Sequence, residues 1–169
     1  MTPTVILPTR KFKTAFFRCV SRNPQNLTVV SPYVGGLPGF KNIVDFTRHL
    51  YNKIDGFQFR LITRPPSNAY ENLNTEQAKA LSLLGVDLLV RTKPILHSKI
   101  YQFYFPEGDS ASFIGSANFT LGGFERNEES VAYFRDPSEN KKISQEINRL
   151  STYGSIPFNL WKIQIKKLK

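Results

Sequence analysis

Apolar residues in the first half of the chain recur with two different periods. Short apolar runs, rich in β-branched residues or alternating with polar ones, are typical of strands, whereas apolar residues three or four apart are typical of helices. In chain order these patterns predict helix 11–20, strand 27–31, helix 43–54, strand 57–63, a helix capped by Asn74 or Thr75 and ended by Gly85, and strand 86–90. Strands that alternate with helices indicate an α/β fold with a partly parallel sheet.

The pattern changes in the second half, where strands follow one another closely. The predicted elements are strands 98–105 and 112–116 joined by a turn around Gly108, strand 130–134, and a helix that begins at Asp136-Pro137 and runs to 150. The tail 156–169 alternates apolar and basic residues and could be strand or helix; between an ordinary edge strand and a membrane-binding surface we favour the edge strand. We therefore expect one domain over 1–169, an α/β sandwich with a mixed, partly parallel β-sheet flanked by helices. Residues 155–169 are its last part, a tail or the start of a linker.

Composition indicates a globular protein outside the membrane. Hydrophobic residues make up 40% of the 169 residues, which is enough for one buried core. No stretch approaches the ~18 consecutive apolar residues of a membrane span. Basic residues such as Arg10 and Lys13 interrupt the region where a signal peptide would be apolar, and the single cysteine, Cys19, excludes an internal disulfide. We expect a soluble, cytoplasmic protein.

The formal net charge of +10 narrows the choice of partner. A positive field attracts polyanions and accelerates encounter with them. Charge alone does not distinguish nucleic acid from an anionic membrane surface, so the choice depends on particular residues.

His97 and Lys99 form the first candidate chemical group. Residues two apart on a strand point to the same side, so both side chains should project into one site. An ammonium group can hold the anionic oxygens of a phosphate while an imidazole supplies a nucleophile or carries a proton.

Two further polar stretches follow. Gly115 and Ser116 end a predicted strand and Asn118 follows at the turn, where backbone N–H groups and an amide can hold phosphate oxygens; ordinary turn chemistry is the alternative. Glu129 lies beside the start of the last predicted strand. Its carboxylate could accept a hydrogen bond from one ring nitrogen of His97, or be a solvated surface charge.

In order and spacing, the three stretches match a known pattern. H-x-K at His97, G-S-x-N-x-T at Gly115 and N-x-E at Asn127 together resemble the signature of the phospholipase D superfamily. The closest resemblance is to its small one-motif nuclease branch, which includes bacterial endonucleases and the catalytic domains of metal-independent restriction enzymes. Tyr104 departs from the fuller motif, which has Asp there, and this departure counts against the phospholipase branch.

The resemblance implies a two-step mechanism without metal or cofactor. His97 attacks phosphorus and forms a phosphohistidine, a second and protonated histidine donates to the leaving oxygen, and water then hydrolyses the intermediate. Lys99 and Asn118 would hold the non-bridging oxygens, Ser116 would assist, and Glu129 would orient His97. The expected substrate is DNA, with RNA as the alternative, and the chain could be the nuclease part of a longer restriction enzyme.

The mechanism needs two such histidines, and the chain has one motif. The only other histidine, His49, falls in a predicted helix without a lysine two residues on, so we interpret it as a helix-surface or core-edge residue. The second catalytic histidine would then come from a second copy of the chain, which predicts a two-fold homodimer.

Four basic residues fall in or beside loops near the motif end and are candidates for contacts to backbone phosphates. They are Arg64, Arg91, Lys93 and Arg126. Such contacts position a nucleic acid but carry no base information.

Three other functions remain open. A metal-dependent nuclease could use Asp136, Glu139 and Lys141, although Asp136 also fits a helix cap; one cysteine and two histidines are too few for the usual zinc sites. A lipid-directed enzyme of the same superfamily could bind membranes through the basic, apolar tail. A catalytically inactive nucleic-acid-binding module is the third, but it would have no chemical reason to keep all the motif residues.

Overall fold

A computed structural model describes residues 4–167. In chain order the strands and helices are β1 (Val5–Pro8), α1 (Thr9–Ser21), β2 (Asn26–Val30), α2 (Ile43–Lys53), β3 (Gln58–Thr63), α3 (Thr75–Leu83), β4 (Asp87–Arg91), β5 (Ile100–Tyr104), β6 (Ser110–Gly115), β7 (Ser130–Phe134), α4 (Pro137–Thr152), β8 (Ser155–Pro157) and α5 (Phe158–Lys167). A short π-helical segment, Gly122–Arg126, lies between β6 and β7.

Within the described residues the strands form one sheet of eight, in the order β1-β7-β6-β5-β2-β3-β4-β8. The neighbours β2, β3 and β4 are parallel, and every other pair is antiparallel. The predicted mixed, partly parallel sheet flanked by helices is therefore confirmed. The carboxyl ends of β2, β3 and β4 lie at the same edge as the start of β5 and the end of β6.

The larger core lies on the face of the sheet that α1, α2, α3 and α5 cover. Its centre is aromatic. Phe12 of α1 stacks on Phe124 with ring centroids 4.8 Å apart, Phe16 packs edge-to-face on Phe124 at 4.9 Å, and Tyr101 of β5 packs 5.6 Å from Phe12. Burial of rings of this size supplies a large part of the hydrophobic stabilisation. This cluster supports the segment that follows β6.

The other face of the sheet is covered by α4 and has a smaller apolar core around Ile143 and Ile147. Beside it lies a buried polar network. Asn140, 2% exposed, accepts a hydrogen bond from Ser112 Oγ and donates from Nδ2 to the carbonyls of Ser110 and Asp136, at 3.2 and 3.1 Å. Because each of these groups is buried or partly buried, the network fixes how α4 lies on the sheet.

The predicted elements before residue 152 are present, with boundaries that differ by a few residues at most. Asn74 caps α3 in a capping box with Gln77, and Gly85 follows that helix with φ +89°. Asp136 caps α4 by accepting from Ser138 N at 2.9 Å.

The structure differs from the sequence predictions at both ends of the described chain. The favoured edge strand over 156–169 is limited to β8, and residues 158–167 form α5; positions 168–169 lie outside the described residues. Phe158 and Trp161, three apart, are its buried residues, so helical spacing decides the structure, not the alternation. The sequence patterns also missed β1, which pairs with β7.

Candidate active site

His97 and Lys99 lie in an extended segment that leads directly into β5, and the expectation that they face the same way is correct. His97 is exposed and Lys99 is 8% exposed, and Lys99 Nζ lies 3.2 Å from His97 Nδ1. The backbone N–H of Gly115 donates to the Lys99 carbonyl at 3.3 Å, which fixes this segment beside the end of β6.

The environment lowers the pKa of Lys99. Burial is the largest cause, because removal from water disfavours the charged ammonium. The carboxylate of Glu129 raises the pKa and partly opposes this effect, whereas the positive charge of Arg64 lowers the pKa further. A partly desolvated ammonium has a stronger interaction with an anion that enters the site than a solvated one has. Lys99 is therefore suited to bind a phosphate oxygen.

Ser116 and Glu129 are brought together at the start of β7. Ser116 Oγ donates to Glu129 Oε2, and the Ser130 backbone N–H donates to Ser116 Oγ at 3.1 Å. Glu129 is 7% exposed, and its other carboxylate oxygen accepts from Asn127 Nδ2 at 3.3 Å. The alternative of a solvated surface charge at Glu129 was therefore wrong.

Thr9, the first residue of α1, holds this segment from the other side. Its hydroxyl donates to the Asn127 carbonyl at 2.8 Å and accepts from the Glu129 backbone N–H at 2.9 Å. The sequence around Thr9 does not indicate this role, since its partners are more than a hundred residues away. No signal within the first helix could have identified it.

The expected hydrogen bond from His97 to Glu129 is not formed within the described chain. His97 Nδ1 lies within hydrogen-bond distance of Lys99 Nζ. The carboxylate of Glu129 is instead held by Ser116 and Asn127.

Asn118 lies two residues beyond Ser116 on a tightly packed turn. Its side-chain oxygen Oδ1 is buried without a hydrogen-bond partner among the described residues. The Tyr101 hydroxyl donates to the Ala117 carbonyl at 2.6 Å, and a Cβ on Gly123 would lie 2.2 Å from the Asn118 carbonyl oxygen. Only glycine permits this close approach of the π-helical segment, which supports the turn from below.

Three of the four candidate phosphate contacts lie near this site. Arg64 Nε donates to the Leu96 carbonyl at 3.0 Å, one residue before His97. Lys93 is exposed on the loop that leads to His97, and Arg126 is exposed next to Asn127.

Arg91, the fourth candidate for a phosphate contact, is buried. It is 4% exposed, and its Nη1 donates to the carbonyls of Leu150, at 3.1 Å, and Tyr153. The guanidinium thus satisfies carbonyls at the C-terminal end of α4, which the helix itself leaves without partners. Arg91 therefore stabilises α4 and does not face solvent.

His49 is exposed on α2, with its ring 5.3 Å from that of Phe40, as expected for a helix-surface residue. Among residues 4–167, no three His, Cys, Asp or Glu side chains gather as they would around a metal ion. No helix in that range is long and apolar enough to cross a membrane.

A cleft of about 560 Å³ opens beside the motif. It is lined by His97, Ser98, Lys99, Ile100, Ile114, Gly115, Ser116 and Glu146. This volume is within the ordinary range of ligand sites. The imidazole, the ammonium and the Ser116 hydroxyl are thus presented to one solvent-accessible space.

This fold and motif geometry define a phospholipase D-like domain. The family profile described as "Cardiolipin synthase, PLD-like domain" matches residues 24–151, well over half of the chain. The chain therefore belongs to this family, and the resemblance inferred from the motifs is confirmed. The expected class of enzyme, a phosphodiesterase of the phospholipase D superfamily, is confirmed at the level of this membership. A search of the curated proteins found no match.

Solved structures with the same fold include two small proteins of similar length. NucT from Helicobacter pylori is 14% identical with a TM-score of 0.60, covering 92% of this chain and 99% of that one. Nuc from Salmonella typhimurium, a phospholipase D family member, is 15% identical with a TM-score of 0.60 and the same two coverages. A polyphosphate kinase from Porphyromonas gingivalis is 15% identical with a TM-score of 0.62, covering 90% of this chain and 23% of that one. At 14–15% identity, the similarity of these three structures to this chain shows a shared fold.

Proposed function

We propose that this chain is a metal-independent nuclease that cleaves DNA through a phosphohistidine on His97. The observation that carries the proposal is the His97 imidazole 3.2 Å from the partly desolvated Lys99 ammonium, at the mouth of an open cleft. One group suits attack on phosphorus and the other suits binding the oxygens that become more negative during that attack. The net charge of +10 favours a polyanionic substrate.

In the first step, a ring nitrogen of His97 forms a bond to phosphorus while the bond to the leaving oxygen breaks. A protonated histidine gives its proton to that oxygen. In the second step, the oxygen of water attacks phosphorus, the phosphorus–nitrogen bond breaks, and the same second histidine accepts the proton. Lys99 and Asn118 bind the non-bridging oxygens, and the buried Oδ1 of Asn118 leaves its Nδ2 for that role.

We further propose that the active site is completed by a second copy of the chain. Two observations support this. His49 is exposed on α2 and is not among the residues that line the cleft, so the chain offers no second histidine there. In addition, no carboxylate of the same chain is hydrogen-bonded to the His97 ring among the described residues. A partner chain would supply both missing groups.

Basic side chains extend the site along a nucleic-acid backbone. Lys93 and Arg126 are exposed and Arg64 is partly buried, and each is able to contact a phosphate. DNA as the substrate follows from the motif resemblance, and RNA is the alternative that the experiment includes.

The test is incubation of the purified protein with plasmid, single-stranded DNA and RNA in excess EDTA. The parent should cut at least one of them, His97→Ala should not, and the matched control His49→Ala should cut like the parent. A phosphorylated His97 trapped by acid-free quenching would support the intermediate. Magnesium-dependent cutting by both the parent and His97→Ala would refute the mechanism, and turnover of anionic phospholipid vesicles without nucleic-acid cleavage would favour the lipid-directed alternative.

A further inference from the structure

Two tyrosine–arginine pairs lie at the motif end of the sheet, in the segments that follow β2, β3 and β6, and neither tyrosine belongs to the motif. Tyr33 is 36% exposed, and the Arg64 guanidinium lies over its ring, 4.8 Å from the centroid, while donating to the phenol oxygen at 3.0 Å. Tyr70 is 78% exposed, and its phenol oxygen accepts from Arg126 Nη1 at 3.3 Å. We call these four side chains the tyrosine rim.

The first pair is attached to the segment that carries the nucleophile. Arg64 donates from Nε to the Leu96 carbonyl at 3.0 Å, so its guanidinium links the ring of Tyr33 to the residue before His97. The Tyr33 carbonyl is itself held by the Ser31 hydroxyl at 2.7 Å. Tyr33 therefore has a fixed position next to the catalytic segment.

The second pair is attached to the other side of the site. Arg126 is adjacent to Asn127, whose side chain donates to Glu129. The loop that carries Tyr70 is joined to the loop that carries Tyr33, because Val34 N donates to the Glu71 carbonyl at 3.1 Å. The two tyrosines thus lie on connected loops at the motif end of the sheet.

An exposed tyrosine ring gains nothing from core burial, and two such rings here are each held by an arginine. A fixed, exposed ring offers a flat face on which a nucleobase can stack, and the neighbouring guanidinium can reach the adjoining phosphate. Bases in a duplex already stack on each other, so their faces are not accessible to a side chain. Only unpaired nucleotides fit such a surface.

We propose that Tyr33 and Tyr70 are base-stacking residues and that the substrate is single-stranded nucleic acid, with unpaired nucleotides on either side of the phosphate that His97 attacks. This proposal rests on the proposed nuclease function and names its substrate class. Stacking involves the π-face that every base has, so little sequence preference is expected.

Binding is measured by fluorescence anisotropy in EDTA at fixed salt, with His97→Ala as the background so that no strand is cut. The ligands are a short oligothymidine and a blunt duplex of the same length. Tyr33→Ala and Tyr70→Ala should each weaken binding of the single strand by about tenfold and change duplex binding little. Tyr33→Phe and Tyr70→Phe keep the rings and should retain most of the affinity.

The matched control is Tyr104→Ala, because Tyr104 is also 36% exposed and also bonded through its hydroxyl, but lies at the opposite end of β5. It should bind like the background. Duplex bound as tightly as the single strand, or alanine variants that bind the single strand unchanged, would overturn the stacking proposal. A parent protein that still cuts nucleic acid in EDTA, dependent on His97, would in that case leave the nuclease function standing; absence of both cleavage and binding would overturn both.

Discussion

Replacement of Arg91 by methionine tests whether this residue stabilises the fold or contacts the substrate. Methionine keeps much of the aliphatic stem and removes the guanidinium, which donates to the carbonyls of Leu150 and Tyr153 at the end of α4. Hydrogen bonds with one charged partner contribute ~1.5–3 kcal/mol each, and a cation at a helix C-terminus adds a favourable interaction with the helix dipole. Burial of the charge opposes these gains. We expect a net loss of about 3 kcal/mol in the free energy of unfolding.

For a chain of this length, each kcal/mol lowers Tm by ~2–4 °C, so Arg91→Met should lower it by roughly 6–12 °C. Thermal and urea unfolding followed by circular dichroism measure the change. The control is Arg149→Met in the same helix end, where the side chain is 54% exposed and paired only with Glu146. Exposed pairs of this kind contribute little, so Tm should hardly change.

We also expect folded Arg91→Met to bind nucleic acid with the affinity and salt dependence of the parent. An unchanged Tm together with weaker binding and a shallower salt dependence would refute it. That result would mean that the guanidinium lies at the surface and contacts a phosphate, as the sequence alone suggested.

Three further predictions concern the site and its support. Glu129→Gln removes the charge that raises the pKa of Lys99, so the ammonium should lose its proton at lower pH, and the alkaline fall of kcat/KM should move to lower pH; an unshifted pH profile would contradict this. Gly123→Ala places a Cβ against the Asn118 carbonyl and should destabilise the fold by ~1–3 kcal/mol and reduce cleavage, measured by urea unfolding and initial rates; wild-type values of both would refute the close packing. Asn140→Ala leaves its buried partners unsatisfied and should lower the free energy of unfolding by about 2–4 kcal/mol, whereas an unchanged urea midpoint would show that the network contributes nothing.

The sequence predicts those parts of the fold that short-range chemistry determines. The capping box at Asn74 and the left-handed Gly85 mark both ends of α3 in the sequence, and both are present. His97 and Lys99 are two apart on an extended segment, so their proximity is a local property as well. In each case the spacing of a few neighbouring residues was enough to predict the structure.

The parts that the sequence did not predict depend on distant partners. Arg91 is buried because the end of α4, about sixty residues later, lies over it. Glu129 was expected to contact His97, but its position is set by Ser116 and by Thr9, which no local pattern connects to it. The prediction for the tail was wrong for another reason, since its exposed Ile163 and Ile165 alternate with polar residues as in a strand but are not buried.

The pairing of β1 with β7 has a consequence for how the molecule forms during synthesis. Val5 lies opposite Tyr133, so the first strand has no partner until most of the chain has left the ribosome. The ring contacts of Phe12 and Phe16 in α1 likewise cannot form before Phe113 and Phe124 have been synthesised. Contacts between residues so far apart form slowly and leave apolar surface open to aggregation in the meantime. An unfinished chain thus lacks the Thr9 contacts of the active site, and catalytic competence is acquired only after β7 has been made.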